Sequence, residues 1–230
     1  MAAKYEAILK DLSQRIATMK PGERLPGEQL LAQEYGVSGM TVRRALQVLL
    51  EAGRIMGVRG RGTFVTQPVV TKRMVMSSFT DSMKAAGMTA RATVLSASLL
   101  PADEATARDL EMPVGEQVFM LVRLRYGDDM PLCVDDTILR AAYFPGLLGV
   151  DLTGSLYELM RKKYRIELAR AQSRVSAVVP SAEEAQLLGI SRRQPCIRVL
   201  SRSHTTDGRV AERTVSLYRG DRYELYIEPV

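Results

Sequence analysis

Residues 57–65 read GVRGRGTFV, and the residue types raise the question of which phosphate they would hold. Gly57, Gly60 and Gly62, with Arg59 and Arg61 between them, bring backbone freedom and two cations into six positions. A glycine loop that cradles a nucleotide opens into a helix, whose free amides and positive dipole end face the anion. Here Thr63, Phe64 and Val65 continue as a strand, the spacing is G-x-x-G-x-G, and no Gly-Lys-Ser/Thr follows. A hairpin tip that carries Arg59 and Arg61 to DNA phosphates or into a minor groove fits these residues; a solvated basic turn is the plain alternative. A second arginine pair, Arg123 and Arg125, shares one face of the alternating run VFMLVRLRY, residues 118–126. Two guanidinium groups on one strand face are costly to bury without an anion, so they either bind one or pair with carboxylates such as Asp135 or Glu212.

The elements that must position the first loop are helical. Tyr5, Ile8, Leu9, Leu12 and Ile16 recur at helical spacing and predict a helix that stops at Lys20-Pro21-Gly22. A second helix is expected over residues 28–35, opened by Pro26-Gly27 and closed by Gly36. Ser38 is a good N-cap for a third, with Val42, Ala45, Leu46 and Leu49 on one face and Gly53 as its stop. Two helices joined by YGVS form a helix-turn-helix, and the hairpin that follows supplies a wing. The third helix presents Gly39, Met40, Thr41, Arg43, Arg44 and Gln47 away from its apolar stripe, and such a helix enters the major groove by its N-terminal half. Arginine suits guanine, glutamine suits adenine, and threonine suits a phosphate or a thymine methyl.

Past residue 66 the pattern turns to strands. TQPVVTKRMVM, residues 66–76, lacks a clear period and reads as a linker. The run 118–126 and a second strand at 132–139 are separated by the turn YGDDMP. Residues 100–139 and 179–217 form a weak internal repeat of proline, short acidic helix, strand, turn and strand, with a further helix, GSLYELMRKKY, at 154–164. These units predict one continuous antiparallel sheet with helices on one side, an α+β domain, and a ligand crevice between the halves. Ser155, opening the 154–164 helix, adds a hydroxyl and free amides to an anion site built on Arg123 and Arg125.

Composition narrows the function classes. A chain of 230 residues, 46% hydrophobic and 25% charged, is globular and long enough for two modest domains. The net charge is +6, and residues 1–70 hold ten Lys/Arg against six Asp/Glu, so the electrostatic footprint of a polyanion partner lies at the N-terminal end. The start MAAKYEAILKDL has no signal-peptide core and no segment approaches a membrane span, which points to the cytoplasm and to no membrane partner. Cys133 and Cys196 are isolated from each other and from His204, the single histidine, so neither a zinc site nor a disulfide framework is expected, and no cofactor. No nucleophile and base stand at a telling spacing, which argues against an enzyme; His204 is expected to be an exposed residue beside a hairpin turn.

LPGEQLLAQEYGVSGMTVRRALQVLLEAG followed by GRGTFV resembles the winged-helix domain of GntR-type bacterial transcription factors over nearly all of residues 4–66. The resemblance implies that Thr41, Arg43 and Arg44 contact DNA from the recognition helix, and Arg61 with Gly62 from the wing. Gly27 stands where the family usually has serine, and Gly39 where it usually has arginine. Residues 76–230, with SSFTDSM, RLRY, FPGL, GSLYEL and SLYRGDRYELYIEP, are similar to the effector-binding UTRA domain of the HutC subfamily, which resembles chorismate lyase in fold but acts as a sensor. In members that bind amino-sugar phosphates, the positions matching Phe79, Thr80, Arg123, Arg125, Ser155 and Tyr157 surround the phosphate. Those matching Asp135, Glu212 and Tyr218 lie against the sugar. Asp135 replaces the usual glutamate, and Asp136 after it is unusual. The resemblance thus implies a ligand-responsive homodimeric repressor of a palindromic DNA operator, with a winged helix-turn-helix at 1–67, a linker at 68–76 and an effector-binding and dimerisation domain at 77–230. The alternatives are a DNA-binding regulator that responds to a different acidic metabolite, an enzyme of chorismate-lyase-like fold, and an architectural DNA binder without an effector.

Overall fold

The computed structural model describes residues 2–58, 60–66, 70–73 and 77–226. The chain divides into two compact units, Met1–Val69 and Val70–Val230. In the first, α1 (Ala2–Thr18), α2 (Glu28–Glu34) and α3 (Gly39–Glu51) precede an antiparallel hairpin of β1 (Ile55–Val58) and β2 (Gly62–Val65). The apolar stripes meet in one core of Ile8, Leu12, Ile16, Leu31, Val42, Ala45, Leu46, Leu49, Ile55 and Val65. Each Val, Leu or Ile side chain among them contributes about 1.5–3 kcal/mol on burial. The wing is anchored from the other side by residues 23–25: Leu25 donates to the Thr63 carbonyl at 2.9 Å, and Val65 to that of Glu23 at 2.8 Å.

The second unit begins where the sequence reads as a linker. Val70–Arg73 is a strand, β3, paired in parallel with β10 (Tyr223–Tyr226), so part of the expected 68–76 linker belongs to the C-terminal unit. Buried Val70, which packs with Tyr223, supplies the reason; a four-residue strand is too short to show a period. Then follow α4 (Phe79–Ala85), β4 (Ala90–Pro101), α5 (Glu104–Leu110), β5 (Gln117–Gly127), β6 (Met130–Arg140), α6 (Leu156–Tyr164), β7 (Leu168–Val178), α7 (Ala182–Leu188), β8 (Cys196–Thr205) and β9 (Val210–Arg219).

Six strands form one antiparallel sheet in the order β4-β5-β6-β9-β8-β7. The repeat is therefore larger than the sequence alone suggests: β4-α5-β5-β6 and β7-α7-β8-β9 are equivalent units that meet at the β6–β9 pair. The helices do not lie on one side. Leu156 and Met160 of α6 pack with Phe119, Leu121 and Leu139, whereas α5 packs with Val118 and Ile138, and Leu188 of α7 with Leu124 and Leu217, on the opposite face. Both alternating sets of these strands carry apolar side chains, so both faces must be covered. His204 is 2% exposed, not exposed as expected, because β8 runs to Thr205 and places it opposite Val210. Cys133 and Cys196 are buried and form no disulfide. Among the described residues, no helix is long and apolar enough to cross a membrane.

Candidate DNA-reading surface and effector pocket

On α3 the polar side chains that the sequence singles out are occupied within the protein. Ser38 sits at the N-cap position, but its hydroxyl meets Thr41 Oγ1 at 3.0 Å instead of capping the backbone. Arg43 donates from Nε and Nη2 to the Glu28 carboxylate at 2.8–3.2 Å. Arg44 lies over the Tyr5 ring, 5.0 Å from its centroid, and Gln47 donates to Glu51 Oε1 at 2.9 Å. All four residues lie outside the buried core, and Arg43 is 65% exposed at its side chain. Exposed contacts of this kind add little to stability, so these side chains can change partner at little cost. In the wing, Arg61 is exposed and its N–H closes the turn onto Val58 O at 2.9 Å. Gly62 has φ +110°, a backbone state side chains rarely adopt, and a Cβ there would stand 2.7 Å from Arg24 Nε. Arg59 lies outside the described residues.

The second site is built by strand periodicity. Registers Arg123↔Asp135↔Ser216, Arg125↔Cys133↔Tyr218 and Leu139↔Glu212↔Ser203 put these side chains in rows on one face of the sheet. The pocket they floor holds about 410 Å³ of space including its open mouth, and Ser77, Ser78, Phe79, Leu156 and Tyr157 close it from α4 and α6. Its two repeats contribute jointly, Arg123, Arg125, Asp135 and Thr137 from one and Glu212, Thr214, Ser216 and Tyr218 from the other.

The charges inside are unequally matched. Arg125 Nη1 pairs with Asp135 Oδ2 at 3.2 Å and its guanidinium lies 4.5 Å over the Phe79 ring. Asp135 Oδ1 accepts from Ser216 at 2.7 Å and from the Cys133 thiol at 3.2 Å. Burial opposes the Asp135 charge, but Arg125 and Arg123 outweigh it and hold its pKa below the usual value. Arg123, 3% exposed, donates only to the carbonyls of Leu152 and Gly154, at 3.3 and 3.2 Å, and its Nε has no partner among the described residues. Burial and the neighbouring Arg125 bring its pKa down to about 10. Glu212 Oε1 accepts from Tyr157 OH at 2.6 Å and Ser203 Oγ at 2.8 Å, yet burial still raises its pKa. Burial and Glu212 push the Tyr157 phenol well above its usual value, so it stays a donor. The arrangement is an open pocket floored by buried charged groups, with one arginine paired directly to a carboxylate and the other hydrogen-bonded to carbonyls.

The structure thus gathers Phe79, Arg123, Arg125, Asp135, Tyr157, Glu212 and Tyr218 around one pocket. Thr80 and Ser155 stand one position outside its lining, Ser155 as the N-cap of α6 that accepts from Glu158 N at 3.3 Å. Both alternatives for the arginine pair are present: Arg125 has its carboxylate, Arg123 does not. Sequence reasoning passed over Ser77, Ser78, Thr137, Leu156, Thr214 and Ser216. Thr137 lies two residues from Asp135, and Thr214 and Ser216 continue the alternation from Glu212 to Tyr218, so strand period two was the signal for three of them.

Comparison with known proteins gives two family matches: residues 4–65 match the bacterial regulatory proteins of the gntR family, and residues 85–224 match the UTRA domain. The chain is 34% identical to the HTH-type transcriptional repressor PhnF of Mycolicibacterium smegmatis, over 95% of this chain and 89% of the relative. It is 29% identical to the HTH-type transcriptional repressor NagR of Bacillus subtilis, over 95% of this chain and 91% of that one. Among solved structures, PhnF from Mycobacterium smegmatis superposes with a TM-score of 0.74 at 33% identity, covering 97% of this chain and 99% of that one.

Proposed function

We infer, from a chain that belongs to the GntR family of bacterial regulatory proteins and carries a UTRA domain of the HutC type, that it is a repressor released from its operator when a small anion fills the C-terminal pocket. It is a transcription regulator and not an enzyme. The observation that carries the effector reading is Arg123, a buried cation whose described hydrogen-bond partners are neutral carbonyls. Burial and Arg125 disfavour its charge more than nearby Asp135 and Glu212 favour it, so an arriving anion would be stabilised there. The phosphate of an amino-sugar phosphate would meet Arg123 and Arg125, with Phe79, Tyr157 and the Thr80 and Ser155 hydroxyls beside it, and Glu212 and Tyr218 would face the sugar.

On the DNA side, Thr41, Arg43, Arg44 and Gln47 of α3 and Arg59, Arg61 and Gly62 of the wing would contact the operator. Two winged units of a homodimer would occupy its two half-sites. The effector acts only if it binds the released geometry more tightly than the DNA-bound one, since equal affinity shifts nothing.

Calorimetric titration tests this with N-acetylglucosamine 6-phosphate against the unphosphorylated sugar. Binding of the phosphate form alone, abolished by Arg123→Ala and accompanied by release of bound operator, supports the reading; no binding of either removes the amino-sugar effector. One observation favours a second effector class. Asp135 is already engaged by Arg125, Ser216 and Cys133, which leaves it poorly placed to take sugar hydroxyls, so other acidic metabolites belong in the same titration.

A further inference from the structure

We propose that Met40 reads a thymine in each operator half-site by seating its thioether against the thymine 5-methyl group in the major groove. The inference rests on the operator-binding reading above and adds to it which residue specifies a base.

Met40 lies in the first turn of α3, the end that enters the groove, and it is 72% exposed. Its neighbours with hydrogen-bonding capacity are turned to the protein: Thr41 to Ser38, Arg43 to Glu28, Arg44 to the Tyr5 ring and Gln47 to Glu51. Gly39 precedes it with nothing within 4 Å of where a Cβ would stand, and its φ is not in the left-handed region. The backbone therefore does not demand glycine at that position. The glycine leaves the tip of the helix without a second side chain and gives Met40 room on the groove floor.

What α3 offers first to the base edges is an apolar, flexible and polarisable side chain. The thymine methyl is the apolar group that base pairs display in the major groove, and a thioether adapts to it without hydrogen-bond geometry. Arg43 and Arg44, once released from their exposed partners, supply phosphate contacts that hold the register.

The test uses the full chain and an operator recovered from random duplexes by in vitro selection, with affinity read by fluorescence anisotropy. Each thymine is replaced in turn by deoxyuridine, which removes only the 5-methyl. One position per half-site is expected to weaken binding about fourfold, the worth of one buried methyl. Met40→Ala, at an exposed site where folding is unaffected, should bind the intact operator more weakly and no longer distinguish thymine from uracil there, while Met40→Leu keeps the distinction. A wild-type protein indifferent to every methyl, or a methyl effect that survives Met40→Ala, overturns the proposal while leaving operator binding intact. Failure to select any duplex overturns the operator reading and this inference with it.

Discussion

Arg43 and Arg123 carry the same guanidinium in opposite surroundings. Arg43 is 65% exposed with the Glu28 carboxylate 2.8 Å away, whereas Arg123 is 3% exposed and hydrogen-bonds only to backbone carbonyls among the described residues. Water screens the first pair, so exchanging Glu28 for a DNA phosphate changes little in the free protein. Burial penalises the second charge; Asp135 and Glu212 favour it from nearby, but among the described residues no carboxylate hydrogen-bonds it. The polar partners on α3 are therefore easily exchanged, while the C-terminal pocket keeps a buried arginine with room to bond an anion.

The contrast is broken most severely at the neutralised arginine. Asp135→Asn leaves Arg125 buried without its counter-ion, and the C-terminal unit should lose about 3–5 kcal/mol in urea unfolding at neutral pH. A loss below about 1 kcal/mol would mean that water reaches Arg125 and that the pocket is no different from the surface. Next in size, Arg123→Met should reduce affinity for the effector anion by roughly 10- to 100-fold, the range for hydrogen bonds to a charged group. Its melting temperature should hold or rise, because a buried charge disfavoured by burial and by Arg125 has gone; a clear fall in melting temperature would assign Arg123 to structure. Smaller again, Arg43→Ala should lower the salt dependence of operator binding by about one phosphate, with the melting temperature unchanged. Glu28→Gln should move operator affinity the other way, since it frees Arg43 and removes a negative charge beside the phosphates.

The smallest effect is a titration. Glu212 has a folded-state pKa raised above the ordinary 4.5 by burial, so just above that pH the folded state binds more protons than the unfolded one. Stability from this group therefore grows as pH falls toward 4.5 and is lost as pH rises through the folded value. Asp135, lowered, has the opposite sign and loses its contribution only as pH falls through its own depressed value. Scanning fluorimetry of Glu212→Gln against the parent should show a flatter profile between pH 7 and about 4.5; parallel profiles would place Glu212 in contact with solvent.

Much of this was written in local pattern. The stripe Ile8, Leu12, Ile16 and the set Val42, Ala45, Leu46, Leu49 predict α1 and α3 because helical period alone decides which side chains meet the core. The alternation over 118–126 likewise predicts which face Arg123 and Arg125 share. What sequence could not supply is set at a distance: β3 needs β10 to be a strand at all, and the choice of Asp135 for Arg125 but not Arg123 depends on chain reversals between them. The placement of helices on one side failed for a different reason. Strands apolar on both faces carry no mark of which helix covers which face, and the two-residue alternation around Thr137, Thr214 and Ser216 reads as ordinary strand until a pocket gives it a direction.

The pairing of Val70–Arg73 with Tyr223–Tyr226 also sets an order of events during synthesis. Residues 1–69 hold a core of their own and can fold as soon as they leave the ribosome, but the segment after them has no strand to join until some 150 residues later have been made. Of the pairings in the second unit, this clip joins positions farther apart in sequence than the sheet's hairpins do, so the DNA-reading unit is finished well before the chain that follows it is fastened at its base.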